Sequence, residues 1–234
     1  MKTLKLFLLV PVAAVALAAC VHPTPVPPSP SPSVSTSTVA PTVSPSPLPA
    51  PTPSVSPSWT WPPTSACGYE RWPVKTGTDT DAGKINLSSV IDTTIDGLSL
   101  LAAPSSLPQN DRLSPFETTV YRIHGTIIAY KMEPDSDYHL VVRGVSGLTM
   151  IVEIPDPACV ADRTGPLLAG IELARTQFDA RFQPNGSFQN ANVQVTIVGV
   201  GFYDPEHGQT GGLVLKGGKI TAELHPVQSV LFGN

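Results

Sequence analysis

The chain has 234 residues and a formal net charge of −4, with 41% hydrophobic side chains, enough for one core. All 18 acidic residues but only 12 of the 14 basic ones lie beyond residue 65, so the part able to fold carries an excess of six negative charges. That balance argues against a nonspecific nucleic-acid binder, which needs a basic footprint for phosphates. No Gly-x-Ser-x-Gly elbow, His-Glu-x-x-His pair or phosphate-cradling Gly-Lys-Ser/Thr occurs, and no cofactor signature is present.

At the N-terminus, Lys2 and Lys5 precede an apolar stretch from Leu6 to Leu17. A basic start, a short apolar core and small residues form a secretory signal pattern, and the stretch is too short for a comfortable membrane span. Leu17-Ala18-Ala19-Cys20 resembles the lipobox of bacterial lipoproteins. The resemblance implies that residues 1–19 are removed, that Cys20 is lipidated, and that the rest is exported and held at a membrane of the cell envelope. An ordinary signal peptide with an incidental cysteine is the other reading. From Val21 to Ser65 the chain holds 15 of its 27 prolines and no Asp, Glu, Lys or Arg. Such composition cannot bury enough surface to order itself, and proline biases it to polyproline II. Residues 20–65 are thus expected to be a disordered tether reaching on the order of 140 Å at ~3.1 Å per residue. Trp59, Trp61 and Trp72 stand near its junction with residues 66–234, which are of ordinary single-domain size.

With Cys20 lipidated, Cys67 and Cys159 remain, and an oxidising compartment predicts one disulfide between them. Two reduced or metal-binding thiols are the alternative, although no Cys-x-x-Cys pattern supports it.

The leader from Cys67 to Pro115 reads as irregular, with short strands or a turn of helix near Ile85–Leu100. Five strand-like segments follow. In the first, Thr119–Lys131, a period of two puts Tyr121, Ile123, Gly125, Ile127 and Ala129 on one face, and Gly125 suggests a bend or bulge. Tyr138–Arg143 and Thr149–Ile154 form a hairpin about Val145-Ser146-Gly147, with Gly147 at the position favouring positive φ. That register sets His139 opposite Glu153 and Arg143 opposite Thr149. Pro166–Phe182 has a helical apolar stripe and a suitable first-turn proline. Asn192–Tyr203 changes phase beside Gly199, as a bulge requires. Lys219–Phe232 contains Pro226, which points to an edge or a bulge. Three strands, a helix and two strands is the order of the OB-fold, so the expected fold is mainly β, a five-stranded OB-like barrel with its helix between strands three and four.

Three clusters are able to carry chemistry. Asp135-Ser136-Asp137-Tyr138-His139, with Glu153 across the hairpin, has the donors of a divalent metal site, Asp135 and Asp137 being the added candidates. The plainer reading is a polar turn with His139 and Glu153 paired on a solvated face. Gly199–Gly212 carries Asp204, Glu206, His207 and Gln209 in what reads as the loop between the last two strands, either a ligand loop or a hairpin rich in turn formers. Glu223 and His225 share a face opposite Leu224, as a general-base pair or as structural groups beside Pro226.

The segments around Asp137-Tyr138-His139, Met150–Pro155, Gly199–Phe202, His207-Gly208-Gln209-Thr210-Gly211 and Glu223-Leu224-His225-Pro226-Val227 together resemble a group of small secreted bacterial proteins of no established activity. The resemblance implies one exported domain and no mechanism. The expected protein is therefore a lipid-anchored envelope protein presenting a binding or structural module for an envelope glycan or protein. Its contact residues would be His139, Glu153, Asp204, His207, Gln209, Glu223 and His225. The alternative is a metal-dependent, nuclease-like hydrolase in which Asp135, Asp137 and Glu153 hold the ion and Arg143 stabilises phosphate charge.

Overall fold

The computed structural model describes residues 67–68 and 70–233. The signal segment, Cys20, the proline-rich tether, Trp59 and Trp61 lie outside the described residues. Within them the protein is mainly β. In chain order come α1 (Trp72–Thr76), β1 (Val90–Asp92), α2 (Ile95–Leu98), β2 (Val120–Met132), β3 (Tyr138–Arg143), β4 (Thr149–Ile154), α3 (Leu168–Asp179), β5 (Gln189–Pro205), β6 (Leu213–Val214) and β7 (Ile220–Phe232). None of these helices is long and apolar enough to cross a membrane.

Five strands close on themselves in a ring. The order is β2, β3, β4, β7, β5, and β5 pairs back onto β2. All contacts are antiparallel except β4 with β7, which is parallel and rests on one residue pair, Val152 with Leu224. The β3–β4 register follows from alternation: with Leu140, Val142, Met150, Val152 and Ile154 all buried in the main core, His139 must face Glu153 and Arg143 must face Thr149. The turn between them uses Gly147 at φ 94°.

Elsewhere the register departs from simple alternation. The irregularity in β2 falls between Ile127 and Ala129, not at Gly125, and it turns Tyr130 inward where Ala129 was expected. Gly125 answers to a close approach instead, since a Cβ there would lie 2.6 Å from a Val142 methyl. In β5 and β7 the pairing shifts on both sides of Gly199, which pairs with Val227 next to Pro226, so the proline sits at a bulge inside the ring rather than on an edge. β5 runs past its expected end at Tyr203 as far as Pro205, so Asp204, read as part of the following loop, stands on the strand. The helix is shorter than its stripe suggested. It lays Ala174 and Phe178 against the main core, and Phe178 stacks near Tyr130, Tyr138, Phe182 and Phe232. Arg175, fully buried in the same helix, donates to the carbonyls of Ser136, Ile154 and Pro155 while lying over the Tyr138 ring. It thereby joins the ends of β3 and β4.

The leader is not irregular throughout. It returns across the outer face of β5 and β7 and is fixed there by two buried arginines. Arg71 donates to both oxygens of Glu117 (2.6 and 2.9 Å) and to the carbonyls of Pro108, Asp111 and Tyr203. Glu117 also accepts from the backbone N–H groups of Leu113 and Tyr203, so every charge in this pair is met. Arg112 pairs with Asp79 at 2.8 Å beneath it. Cys67 and Cys159 form a disulfide that joins the start of the leader to the turn after β4.

Removing one partner of such a pair leaves a buried charge uncompensated, at a cost of roughly 3–5 kcal/mol. Glu117→Leu is expected to lower the thermal midpoint sharply, whereas the equivalent change in the exposed pair of Arg122 with Asp92 should leave it almost unmoved, a stability change of about 0–1 kcal/mol, as calorimetry will show.

Candidate functional site

The outer face of β3, β4 and β7 carries polar residues at the alternate positions: His139 on β3, Glu153 on β4, Glu223 and His225 on β7. This face is not solvated. The leader lies over part of it, and the segment after β5 folds back onto another part. Gly211 takes φ +89° there, and a Cβ would fall 2.4 Å from a Val141 methyl, so only glycine brings the preceding Thr210 carbonyl down onto β3. The result is a cleft of about 470 Å³. Its walls come from the leader (Glu70, Lys75), the β2–β3 turn (Glu133, Asp135), the strands (His139, Ile151, Glu153, Glu223) and the β5 end with its following loop (Asp204, His207, Gln209). Six carboxylates thus face one lysine and two histidines.

The buried side chains form a continuous chain of contacts. His139 Nε2 is 3.0 Å from the Thr210 carbonyl, and its Nδ1 is 3.0 Å from Glu153 Oε1 and 3.3 Å from Glu133 Oε1. The other Glu153 oxygen lies 3.0 Å from His225 Nδ1, and His225 Nε2 lies 3.2 Å from Asp137 Oδ2. The His225 contacts are ion-pair distances without hydrogen-bond alignment. Both of its nitrogens, together with Asp137 Oδ2 and Asp204 Oδ1, are buried without a hydrogen bond. Glu223 accepts from Thr221 Oγ1, and Gln209 Nε2 donates to Asp204 Oδ2, Pro205 O and Thr221 Oγ1.

Electrostatics separate these groups. Burial alone would raise Glu153, but His139, His225 and Lys75 hold it well below the usual carboxylate range. Burial and the neighbouring Glu153 and Asp204 push Glu223 well above that range. Asp204 is raised by burial and by Glu153 against the pull of Lys75. For Lys75, burial is outweighed by Glu153, Asp204, Glu223 and Asp137, and its ammonium is held more firmly than usual. Burial would lower His225, yet Asp137 and Glu153 push it up to about 9. His139 is raised in the same way, burial being outweighed by Glu153, Thr210 and Glu133. A carboxyl driven up beside one driven down is the arrangement from which acid and base roles are drawn.

The structure brings His139, Glu153, Asp204, His207, Gln209 and Glu223 to one cleft, with His225 directly behind Glu153. His207 is at the exposed rim. Of the two added metal candidates, Asp135 lines the cleft and accepts from the Asp137 N–H, while Asp137 turns inward to His225 and the Asp156 N–H. Arg143 does not belong here. It is exposed at the far end of β3, four residues or about 13 Å from His139 at ~3.3 Å per residue, in a second groove with His124 and Thr196. It therefore cannot stabilise charge at Glu153. Glu133 and Lys75 were not singled out from sequence. Glu133 adjoins the acidic turn and follows its pattern, whereas Lys75 lies on α1, whose approach no local signal announces. Comparison with known proteins finds no matching family model, no matching curated protein and no matching solved structure.

A group whose folded pKa is raised stabilises the fold fully below its unfolded value and loses that contribution as pH rises through the folded one. For His225 the window runs from about 6.5 to about 9. Chelator-treated protein is expected to lose thermal stability across that window, and His225→Gln to flatten the slope in a pH series of melts. Glu153 acts in the opposite sense, its contribution vanishing as pH falls below 4.5.

Proposed function

We propose that the chain is a lipid-anchored cell-envelope protein and that its domain is an OB-like binding module for a positively charged ligand. The observation that carries this reading is the cleft itself, six carboxylates gathered on a concave surface. Three features support the OB-like assignment. The ring order is first, second, third, fifth, fourth and back to first, counting only its five strands. The main helix falls between the third and fourth. The cleft lies on the second and third strands, between the loops that join first to second and fourth to fifth, where OB-folds take their ligands. The sign of the charge separates this cleft from the usual oligonucleotide surface and favours a cationic group presented in the envelope. Support for the anchor comes from Lys2, Lys5 and the Leu17–Cys20 motif.

The hydrolase reading is less favoured, because Arg143, assigned there to phosphate, stands in a different groove.

Cys20→Ala is expected to move the protein from the membrane to the soluble fraction of the expressing cells, and retention at the membrane would contradict the anchor. In a binding assay, a hexalysine peptide should bind the protein in a salt-sensitive manner, and Asp204→Asn should weaken it by about tenfold with the melting temperature little changed. Preferential binding of a single-stranded oligonucleotide would overturn the cationic assignment.

A further inference from the structure

We propose that the mouth of the cleft is a divalent transition-metal site, with His139 Nδ1, Glu153 and Glu133 as its protein ligands. The proposal rests on reading the cleft as a site for positive charge and names one such ligand.

The Thr210 carbonyl only accepts, so the imidazole nitrogen 3.0 Å away, His139 Nε2, must carry a proton. Nδ1 faces Glu153 Oε1 at 3.0 Å, where a proton is shared, and Glu133 Oε1 at 3.3 Å. A metal ion takes the place of that proton, since an imidazole ligand must give it up to bind. The three donor atoms then left all lie within 4.8 Å of one another. Ligand atoms around a tetrahedral ion with bonds of ~2.0–2.1 Å stand about 3.3–3.4 Å apart, so these three need little movement to close on one.

The surroundings have the form of an outer shell. A metal-bound histidine usually donates its other N–H to a carbonyl or carboxylate, which fixes tautomer and ring orientation. Thr210 does this for His139. His225 backs the second oxygen of Glu153 at 3.0 Å. A separate observation also points to a cation. Asp204, only 4% exposed, lines the same cleft and leaves its Oδ1 without a hydrogen-bond partner. A buried carboxylate oxygen in that condition is costly unless positive charge or a donor comes to it.

One imidazole with carboxylates suits zinc, nickel or cobalt better than magnesium or calcium, which prefer all-oxygen shells. Glu133 is 24% exposed in its side chain, so the cluster meets solvent on that side.

The test uses the full chain, purified in detergent with its disulfide intact, stripped by chelator and titrated calorimetrically with Zn²⁺ alone. Co²⁺ serves as a spectroscopic probe. The expected result is one Zn²⁺ per chain, displacement of Co²⁺ and its visible absorption by Zn²⁺, and no comparable binding of Mg²⁺. Glu133→Gln, at a partly exposed position, should weaken Zn²⁺ at least tenfold with an unchanged melting temperature. His139→Gln should abolish the Co²⁺ spectrum, with folding checked by circular dichroism. The absence of saturable Zn²⁺ binding, or binding indifferent to both substitutions in folded protein, would overturn the site. If Zn²⁺ fails while hexalysine still binds, the metal assignment falls and the cationic cleft stands. If neither binds, both fall.

Discussion

The ion pair of Arg71 with Glu117 is the contact on which the arrangement of this domain depends. It joins residues 46 apart in the chain, both buried, and it is fully met by carbonyls and N–H groups on every side. A buried ion pair contributes little net stability against a well-packed apolar substitute, because desolvation offsets the attraction. What it does supply is position. The guanidinium is directional, and its five donors lock the leader to the carbonyls of Pro108, Asp111 and Tyr203 at once. Tyr203 is next to Asp204, and Lys75 follows Arg71 by one helical turn, so the same clamp sets two walls of the cleft. Without it the outer face of β5 and β7 would be an ordinary half-solvated sheet surface, and the carboxylates on it would titrate as such.

The site also gains from the weakest point of the ring. Where β4 meets β7 the backbone offers a single parallel pair. Side chains take over the work of joining the strands there. Glu153 reaches across to His225, which reaches on to Asp137, and Arg175 gathers the carbonyls at the ends of β3 and β4 from the other side. Polar contacts that close a seam in a sheet are also polar contacts concentrated at one spot. The low dielectric there magnifies each charge, and this is why Glu153 and Glu223, close in the fold, are driven in opposite directions.

Much of the ring was legible in the sequence, because alternation is a local property. The β3–β4 register followed from six apolar residues and Gly147, and the β5 bulge from the phase change beside Gly199. The β2 irregularity was misplaced because no glycine or proline marks Ile128. The candidate site was legible only in part. His139, Glu153, Glu223 and His225 stand out as polar residues on otherwise apolar strands, yet whether that face is wet or covered depends on a strap fixed by Arg71, which takes a left-handed φ of 51° that non-glycine residues seldom adopt. Tertiary contact decides such a conformation, and no windowed pattern reports it. Lys75 and the cover over the cleft were invisible for the same reason.

The disulfide has a mechanical meaning as well as a structural one. Cys67 is where the described domain begins, and its bond to Cys159 connects that point directly to the turn after β4. Tension arriving along the chain from before Cys67 therefore divides at the first residue of the fold and enters the sheet through a covalent link. The 92-residue span it bypasses includes Arg71, Lys75 and the whole of α1. Without the bond, the same tension would run first through α1, which carries Lys75 of the cleft wall. Routed through Cys159, the load reaches the turn after β4 without first passing along α1.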